Sequence, residues 1–152
     1  MSGIKISATR KVAWDAAHRV LRHESKCGTL HGHRYVAEIT CEANELDAVG
    51  RVIDFGVMKT IIGAWVDEHW DHTTLVGCQD ASLLEWCADE AKRLGKRLPY
   101  VLETEPTAEN IAAALLRKGQ QLLDDAGFDH IRVVKVRVWE TTNCYADAEV
   151  AS

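Results

Sequence analysis

The stretch Lys26–Glu45, KCGTLHGHRYVAEITCEANE, changes character halfway along. In its second half Tyr35, Ala37, Ile39 and Cys41 fall on one face, and Arg34, Glu38, Thr40 and Glu42 on the other. A period of two with one apolar face is the pattern of a β-strand that buries one side of a sheet. Its first half packs one cysteine and two histidines into seven residues, Cys27 to His33. Side chains two apart on an extended chain point the same way, so His31 and His33 can reach one ion. Cys27 is open to four readings: third ligand, nucleophile, proton carrier or packing.

Upstream, Ile6–His18 (ISATRKVAWDAAH) has β-branched content and partial alternation and predicts a first strand, with a polar connection, RVLRHESKCGTLHG, between the two. Downstream of Asp54, FGVMKTIIGAWVDEHW puts Val57, Ile61, Ala64, Trp65 and Glu68 on one side at helical spacing, with Met58 and Ile62 adjacent. That predicts an amphipathic helix capped by Asp54. A second helix is expected after Thr107, with an apolar stripe through Ile111, Leu115 and Leu122 and through Ala112, Leu116 and Leu123, closed by Gly127. HIRVVKVRVWE, from His130, is the strongest strand pattern, and residues 145–150 predict a short last strand. Between the helices, Ser82–Leu94 has helical offsets at Leu83, Trp86, Cys87, Glu90 and Leu94, with Ser82 as the expected cap. The order strand, strand, helix, helix, strand, strand, with no repeat or linker, reads as one α+β domain over 1–152.

The chain as a whole sets bounds. Its 152 residues suffice for a real core, and 47% hydrophobic with 27% charged residues is ordinary globular composition. A net charge of −5 argues against a general nucleic-acid or membrane-surface binder. No apolar run approaches the roughly 18–20 residues of a membrane span, and the start lacks a signal-peptide core, so a cytoplasmic location is the expectation. The five cysteines, Cys27, Cys41, Cys78, Cys87 and Cys144, are odd in number and form no C-x-x-C pair, which sets aside a disulfide framework and a zinc ribbon.

His18 ends the first strand, so His18, His31 and His33 can converge where the two strands meet. Three imidazoles with a fourth position open are the donor set of a catalytic zinc site, because structural zinc sites are closed by four protein ligands. The alternative is loop histidines satisfied by hydrogen bonds. Asp71 and His72 are adjacent at the end of the first helix, where a carboxylate raises the basicity of an imidazole and fixes its tautomer. Neighbours on a regular helix do not face each other, so the pair works as a proton relay only if the helix has frayed there. His23, His69 and His130 are expected at the surface.

AAH, KCGTLHGHRY, VIDFGVMK, WDHTTL, PTAENIA and WET, in this order from about Trp14 to Thr142, resemble the 6-pyruvoyl-tetrahydropterin synthase family. Cys27 stands four residues before His31, which is similar to the bacterial 6-carboxy-tetrahydropterin synthase branch, a contributor to queuosine and other 7-deazapurines. The resemblance implies the tunnelling fold: a four-stranded antiparallel sheet with two main helices on one face, joined into barrels as a trimer stacked on a trimer. Residues 80–95 would then form an extra helical insertion. By the same resemblance His18, His31 and His33 are zinc ligands and Cys27 is the catalytic proton carrier. Asp71 and His72 form a catalytic relay across a subunit boundary, and Glu140 anchors the pterin. A carboxylate suits that last task because a pterin offers an exocyclic amine and a ring N–H side by side.

The implied substrate is 7,8-dihydroneopterin triphosphate, with zinc acidifying its side chain and the thiolate moving a proton. Triphosphate leaves by elimination, the ring is reduced at the side chain's expense, and acetaldehyde is released. No G-x-G-x-x-G or P-loop pattern is present, consistent with chemistry that needs no nicotinamide. Arg19, Arg22, His23, Lys26 and Arg34 surround the metal motif and would either draw in the triphosphate or form a solvated face. Thr107, Glu109 and Asn110 match a family motif that helix capping already explains. Two features depart from the family: Val76 follows Leu75 where Asn is usual, and Gly77–Glu103 is longer than in compact bacterial members. Two further functions stay open at this stage, a pyruvoyl-forming or related side-chain lyase and a pterin- or metal-binding protein without turnover.

Overall fold

The computed structural model describes residues 3–151. Its frame is a long antiparallel hairpin of β1 (Ser7–His18) and β2 (His31–Ala43), paired from Ser7 opposite Glu42 to His18 opposite His31. To β2 are added β5 (Ile131–Trp139) and then β6 (Tyr145–Glu149), both antiparallel. To β1 are added β3 (Thr73–Gly77) and then β4 (Tyr100–Leu102), both parallel. The sheet therefore has six strands in the order β4-β3-β1-β2-β5-β6, not four, and is mixed rather than antiparallel. The two strands that the sequence reading missed are five and three residues long, too short for alternation to register.

Two helices cover one face. The first, residues 55–69, opens with the Asp54 carboxylate accepting from the Gly56 N–H. It contains a π-helical turn, Lys59–Gly63. Its fully buried side is Met58, Ile62, Val66 and Trp70, while Val57, Ile61 and Trp65 pack beside it and Ala64 is exposed. In a strict α-helix residues four apart drift by about 40° per step. The wider π turn removes part of that drift, which keeps four residues at four-residue spacing on the sheet. The second helix, Ala108–Asp125, is capped by Thr107 and ends at Gly127 with φ +86°. It buries Ile111, Ala112, Leu115 and Leu123. They meet Trp14, Tyr35, Ala37, Ile39 and Cys41 of the hairpin and Val133, Val136 and Val138 of β5 in one core. The buried positions of β5 jump by three at Val133–Val136 because a bulge opposite Thr40 and Cys41 inserts one residue.

The helix expected around 80–95 is present as Ala81–Leu94, but it lies on the opposite face of the sheet from the other two. Neighbours in β3 decide this: Leu75 enters the main core, whereas Val76 points the other way and packs with Leu83 and Cys87. Val76, which departs from the family pattern, is therefore a floor for this helix. The cap is Asp80 rather than Ser82, since its carboxylate accepts from the Leu83 N–H. The same buried carboxylate receives two hydrogen bonds from the Arg19 guanidinium, at 2.6 and 2.5 Å. Those bonds hold the Asp80 carboxyl below the usual carboxylate range. No helix among the described residues is long and apolar enough to cross a membrane.

Asp80→Ala removes a helix cap and the carboxylate paired with Arg19, leaving that guanidinium its bond to the Ser82 hydroxyl, so it is expected to destabilise the protein by about 2–3 kcal/mol in chemical denaturation. A carboxyl whose folded pKa is depressed stabilises above its unfolded pKa and loses that contribution as pH falls through the folded value. The difference between wild type and variant should accordingly hold near neutrality and shrink below about pH 4.

Candidate functional site

Residues opposite each other in an antiparallel pair project to the same face. The register sets His18 against His31 and Ala16 against His33, so all three imidazoles emerge on the core face at one end of the hairpin. One ring nitrogen from each lies within 4.8 Å of the others. The His18 Nδ1–H donates to the Pro106 carbonyl at 2.7 Å, and His31 Nδ1–H donates to the Thr29 carbonyl. Both bonds leave Nε2 as the free lone pair, and these two Nε2 atoms stand 3.1 Å apart. His33 Nε2 is buried without a hydrogen-bond partner. Burial pushes the His18 and His33 imidazoles below their ordinary pKa, so both are neutral near pH 7.

The facing His18 and His31 Nε2 atoms and the partnerless His33 Nε2 form a donor set that a cation between them would satisfy. Tetrahedral zinc at about 2.0–2.1 Å from each imidazole nitrogen fits this spacing. The carbonyls of Thr29 and Pro106 are the partners that orient such ligands. The PTAENIA motif thus gains a role beyond capping, because its proline carbonyl holds His18.

The connection between the strands closes over this end. Val20 N–H donates to the Cys27 carbonyl at 2.9 Å, and Lys26–Gly28 form a 3₁₀ turn. A Cβ on Gly28 would stand 3.2 Å from the His23 carbonyl, so the turn packs this closely only with glycine there. Cys27, His18 and Glu140 line one cavity of about 220 Å³. Glu140 follows the end of β5, with Oε1 3.4 Å from His33 Nε2. That approach is not a hydrogen bond. His23, which the sequence offered only as one of a cluster of cations, lines the same cavity, as does Cys144, which the sequence did not single out as a site residue. His23 is half-buried rather than a surface residue, as is His69, which stacks on Trp65. Cys144 carried one signal, its place four residues after Glu140.

Asp71 and His72 lie beyond the first helix, which ends at His69, so the fraying that the pair requires is present. His72 has φ +56°, a left-handed backbone that costs a non-glycine residue roughly 1–2 kcal/mol. That turn swings the imidazole back, and His72 Nδ1 donates to Asp71 Oδ2 at 2.8 Å. Asp71 Oδ1 accepts from the Asp15 N–H at 2.9 Å, and the His72 N–H donates to the Asp15 carbonyl at 2.7 Å. Partial burial pushes the Asp71 carboxyl up, but the Asp15 amide and the His72 imidazole together outweigh it and hold it below its ordinary range. Asp15, Asp71 and His72 form a second cluster of donor atoms within 4.8 Å. Its atoms already have partners, since Asp15 pairs with Arg34 at 3.0 Å, and it reads as a hydrogen-bonded network.

His72 opens onto a different cavity, about 620 Å³, between the sheet and the 81–94 helix. Of the predicted site residues, only His33 and His72 line it. One protomer thus brings together His18, His31, His33, Cys27 and Glu140, but not Cys27 with His72. Arg19 and Arg34 are engaged by Asp80 and Asp15, and His23 Nδ1 accepts from the Ser25 N–H at 3.0 Å, which leaves Arg22 and Lys26 as the cations of the cluster proposed from sequence with no ion pair among the described residues.

Three imidazoles converging beside a thiol and a carboxylate, at the end of a long hairpin, form a candidate site for a cation and a small polar ligand. Comparison with known proteins narrows that class. The model of the 6-pyruvoyl tetrahydropterin synthase family matches residues 7–150, and the chain belongs to this family. It is 37% identical over 145 residues to a protein of Rickettsia conorii named 6-carboxy-5,6,7,8-tetrahydropterin synthase, covering 93% of this chain and 99% of that one. A protein of the same name from Aquifex aeolicus is 32% identical over 124 residues, covering 81% and 75%. Among solved structures, an uncharacterized protein of Wolinella succinogenes superposes with TM-score 0.78 at 22% identity, covering 97% of this chain and 99% of that one. The Caenorhabditis elegans 6-pyruvoyl tetrahydropterin synthase gives 0.65 at 18% identity, covering 96% of each. These two likenesses show the fold alone.

Asp71→Ala leaves the Asp15 amide without its acceptor and is expected to cost about 1–3 kcal/mol. Asp71→Asn keeps an oxygen in place and should cost less than about 1 kcal/mol. Urea denaturation of the two variants side by side measures the difference.

Proposed function

We propose that this protein is a zinc-dependent 6-carboxy-5,6,7,8-tetrahydropterin synthase that converts 7,8-dihydroneopterin triphosphate to 6-carboxy-tetrahydropterin, acetaldehyde and triphosphate. The observation that carries the proposal is the convergence of His18, His31 and His33 beside Cys27 and Glu140. Family membership and the shared name of the Rickettsia and Aquifex relatives support the choice of substrate and product. The product serves 7-deazapurine synthesis, the queuosine route, in this reading.

His18 and His31 would hold zinc through the Nε2 atoms left free by their carbonyl-bound Nδ1 atoms, and His33 would complete the set. When bound, zinc supplies Lewis acidity to the hydroxyls of the substrate side chain. Glu140 accepts the amine and ring N–H of the pterin in a paired hydrogen bond, which fixes the side chain over the histidines. Cys27 Sγ stands in the wall of the same cavity and carries a proton to and from the side-chain carbon. His72 is the second proton group, its Nδ1 held by the ionised Asp71 so that Nε2 faces outward.

Cys27 and His72 line different cavities of one chain. The reading therefore requires a homo-oligomer in which the His72 of one copy meets the Cys27 of another, as in a trimer stacked on a trimer. All of this takes place within one domain that spans the chain.

Two measurements test the proposal. Equilibrium dialysis should find one zinc per chain in wild type, at least about a hundredfold weaker binding in His33→Ala, and unchanged binding in Cys27→Ala. Loss of zinc from Cys27→Ala would make the cysteine a ligand and overturn its assignment. Mass spectrometry of zinc-loaded protein with fresh 7,8-dihydroneopterin triphosphate should show the carboxylated pterin with acetaldehyde, and Cys27→Ala should slow turnover by about 10²–10⁴-fold. A pyruvoyl product would keep the site and change the reaction, and no turnover with both ligands bound would leave a binding protein.

A further inference from the structure

The segment that follows the 81–94 helix reaches back to the end of the first helix through one side chain. Arg97 Nη1 donates to the carbonyl of Asp67 at 3.2 Å and to the carbonyl of Asp71 at 3.0 Å. These carbonyls stand where a helix leaves its last acceptors without partners. The amides that follow go elsewhere: Asp71 N–H to Val66, His72 N–H to Asp15 and Thr73 N–H to Trp70.

The peptide group joining Asp71 to His72 is therefore gripped at both polar atoms. Its N–H is held by the β1 carbonyl of Asp15 at 2.7 Å, and its C=O by Arg97. That peptide plane carries the left-handed φ of His72, and the left-handed turn is what lets two adjacent side chains meet at 2.8 Å. The His72 side chain is 77% exposed, so packing does little to aim it. Its direction is set by its backbone and by Asp71. Arg97 and His72 also line the same cavity, the one walled by the 81–94 helix.

We propose that Arg97, by gripping the Asp71–His72 peptide from the Gly77–Glu103 segment, is a positioning residue for the relay pair. This assigns a task to the segment that joins the two main helices. The 81–94 helix, anchored through Asp80 to Arg19, supplies a fixed mount on the outer face from which Arg97 extends. A single nitrogen makes both bonds, so a lysine ammonium, with three donors on a flexible stem, can make them as well.

The inference rests on the reading of Asp71 and His72 as the relay, and its test separates the two. Full-length, zinc-loaded wild type, Arg97→Met and Arg97→Lys are compared by the imidazole nitrogen-15 shifts of His72 and by steady-state kinetics. Wild type should show the Nδ1–H form paired with Asp71. Arg97→Met should show a mixture of tautomers, with kcat down by about tenfold and KM within about twofold. Arg97→Lys should restore both the shifts and most of kcat. Unchanged His72 shifts in Arg97→Met, or equal losses in Met and Lys variants that follow a lowered melting temperature, would overturn the positioning role. If wild type itself fails to turn over the pterin triphosphate, the functional reading falls, while the His72 shifts still decide whether Arg97 positions the pair.

Discussion

The register of β1 against β2 is the constraint on which the rest depends. Opposing pairs place Trp14 with Tyr35 and His18 with His31 on the core face, and Asp15 with Arg34 on the other. A slip of one residue would turn every one of these side chains over. Trp14 and Tyr35 stack at 5.2 Å between ring centroids, and Trp14 meets Trp70 at 5.3 Å, so the aromatic layer that locks the register also seats the end of the first helix. The same pairing that fills the core thus aligns three histidines at the open end and presents Asp15 to the Asp71–His72 pair.

The second dependency is the buried contact between Arg19 and Asp80. Arg19 is the residue after His18, and Asp80 opens the helix on the outer face. One carboxylate therefore ties that helix to the strand end where the histidines gather. Charge burial of this kind is costly unless every donor is met, and here both oxygens are occupied, by the guanidinium and by the Leu83 amide. The pairing also explains why Arg19 is not available to an anionic ligand. Arg22, His23 and Lys26 lie on the loop that carries Cys27.

The site divides along the sheet. His18, Cys27 and Glu140 share one cavity, and His33 and His72 line another. A chemistry that needs proton groups on both sides of a substrate then needs two copies of this surface. The short outer strands β4 and β6 are the edges that further strands can extend.

The sequence by itself determined the two long strands, both main helices and the family, and it singled out the three histidines that the hairpin brings together. Each of these rests on local information: the period-two run from Tyr35 to Cys41, the caps at Asp54 and Thr107, and the spacing of Cys27, His31 and His33. Only the tertiary structure decided the number of strands, because β3 and β4 are too short to carry a period and form where β1 offers β3 an edge and β3 in turn offers one to β4. It also decided the face taken by the 81–94 helix, which follows from Val76 pointing away from Leu75. The cap at Asp80 was hidden because that residue's partner, Arg19, is distant in sequence. Arg97 left no pattern to read, since hydrogen bonds to backbone carbonyls select for reach and charge rather than for any spacing. Local chemistry and periodicity are written along the chain, but partnership between distant residues is settled only when the sheet closes the distance.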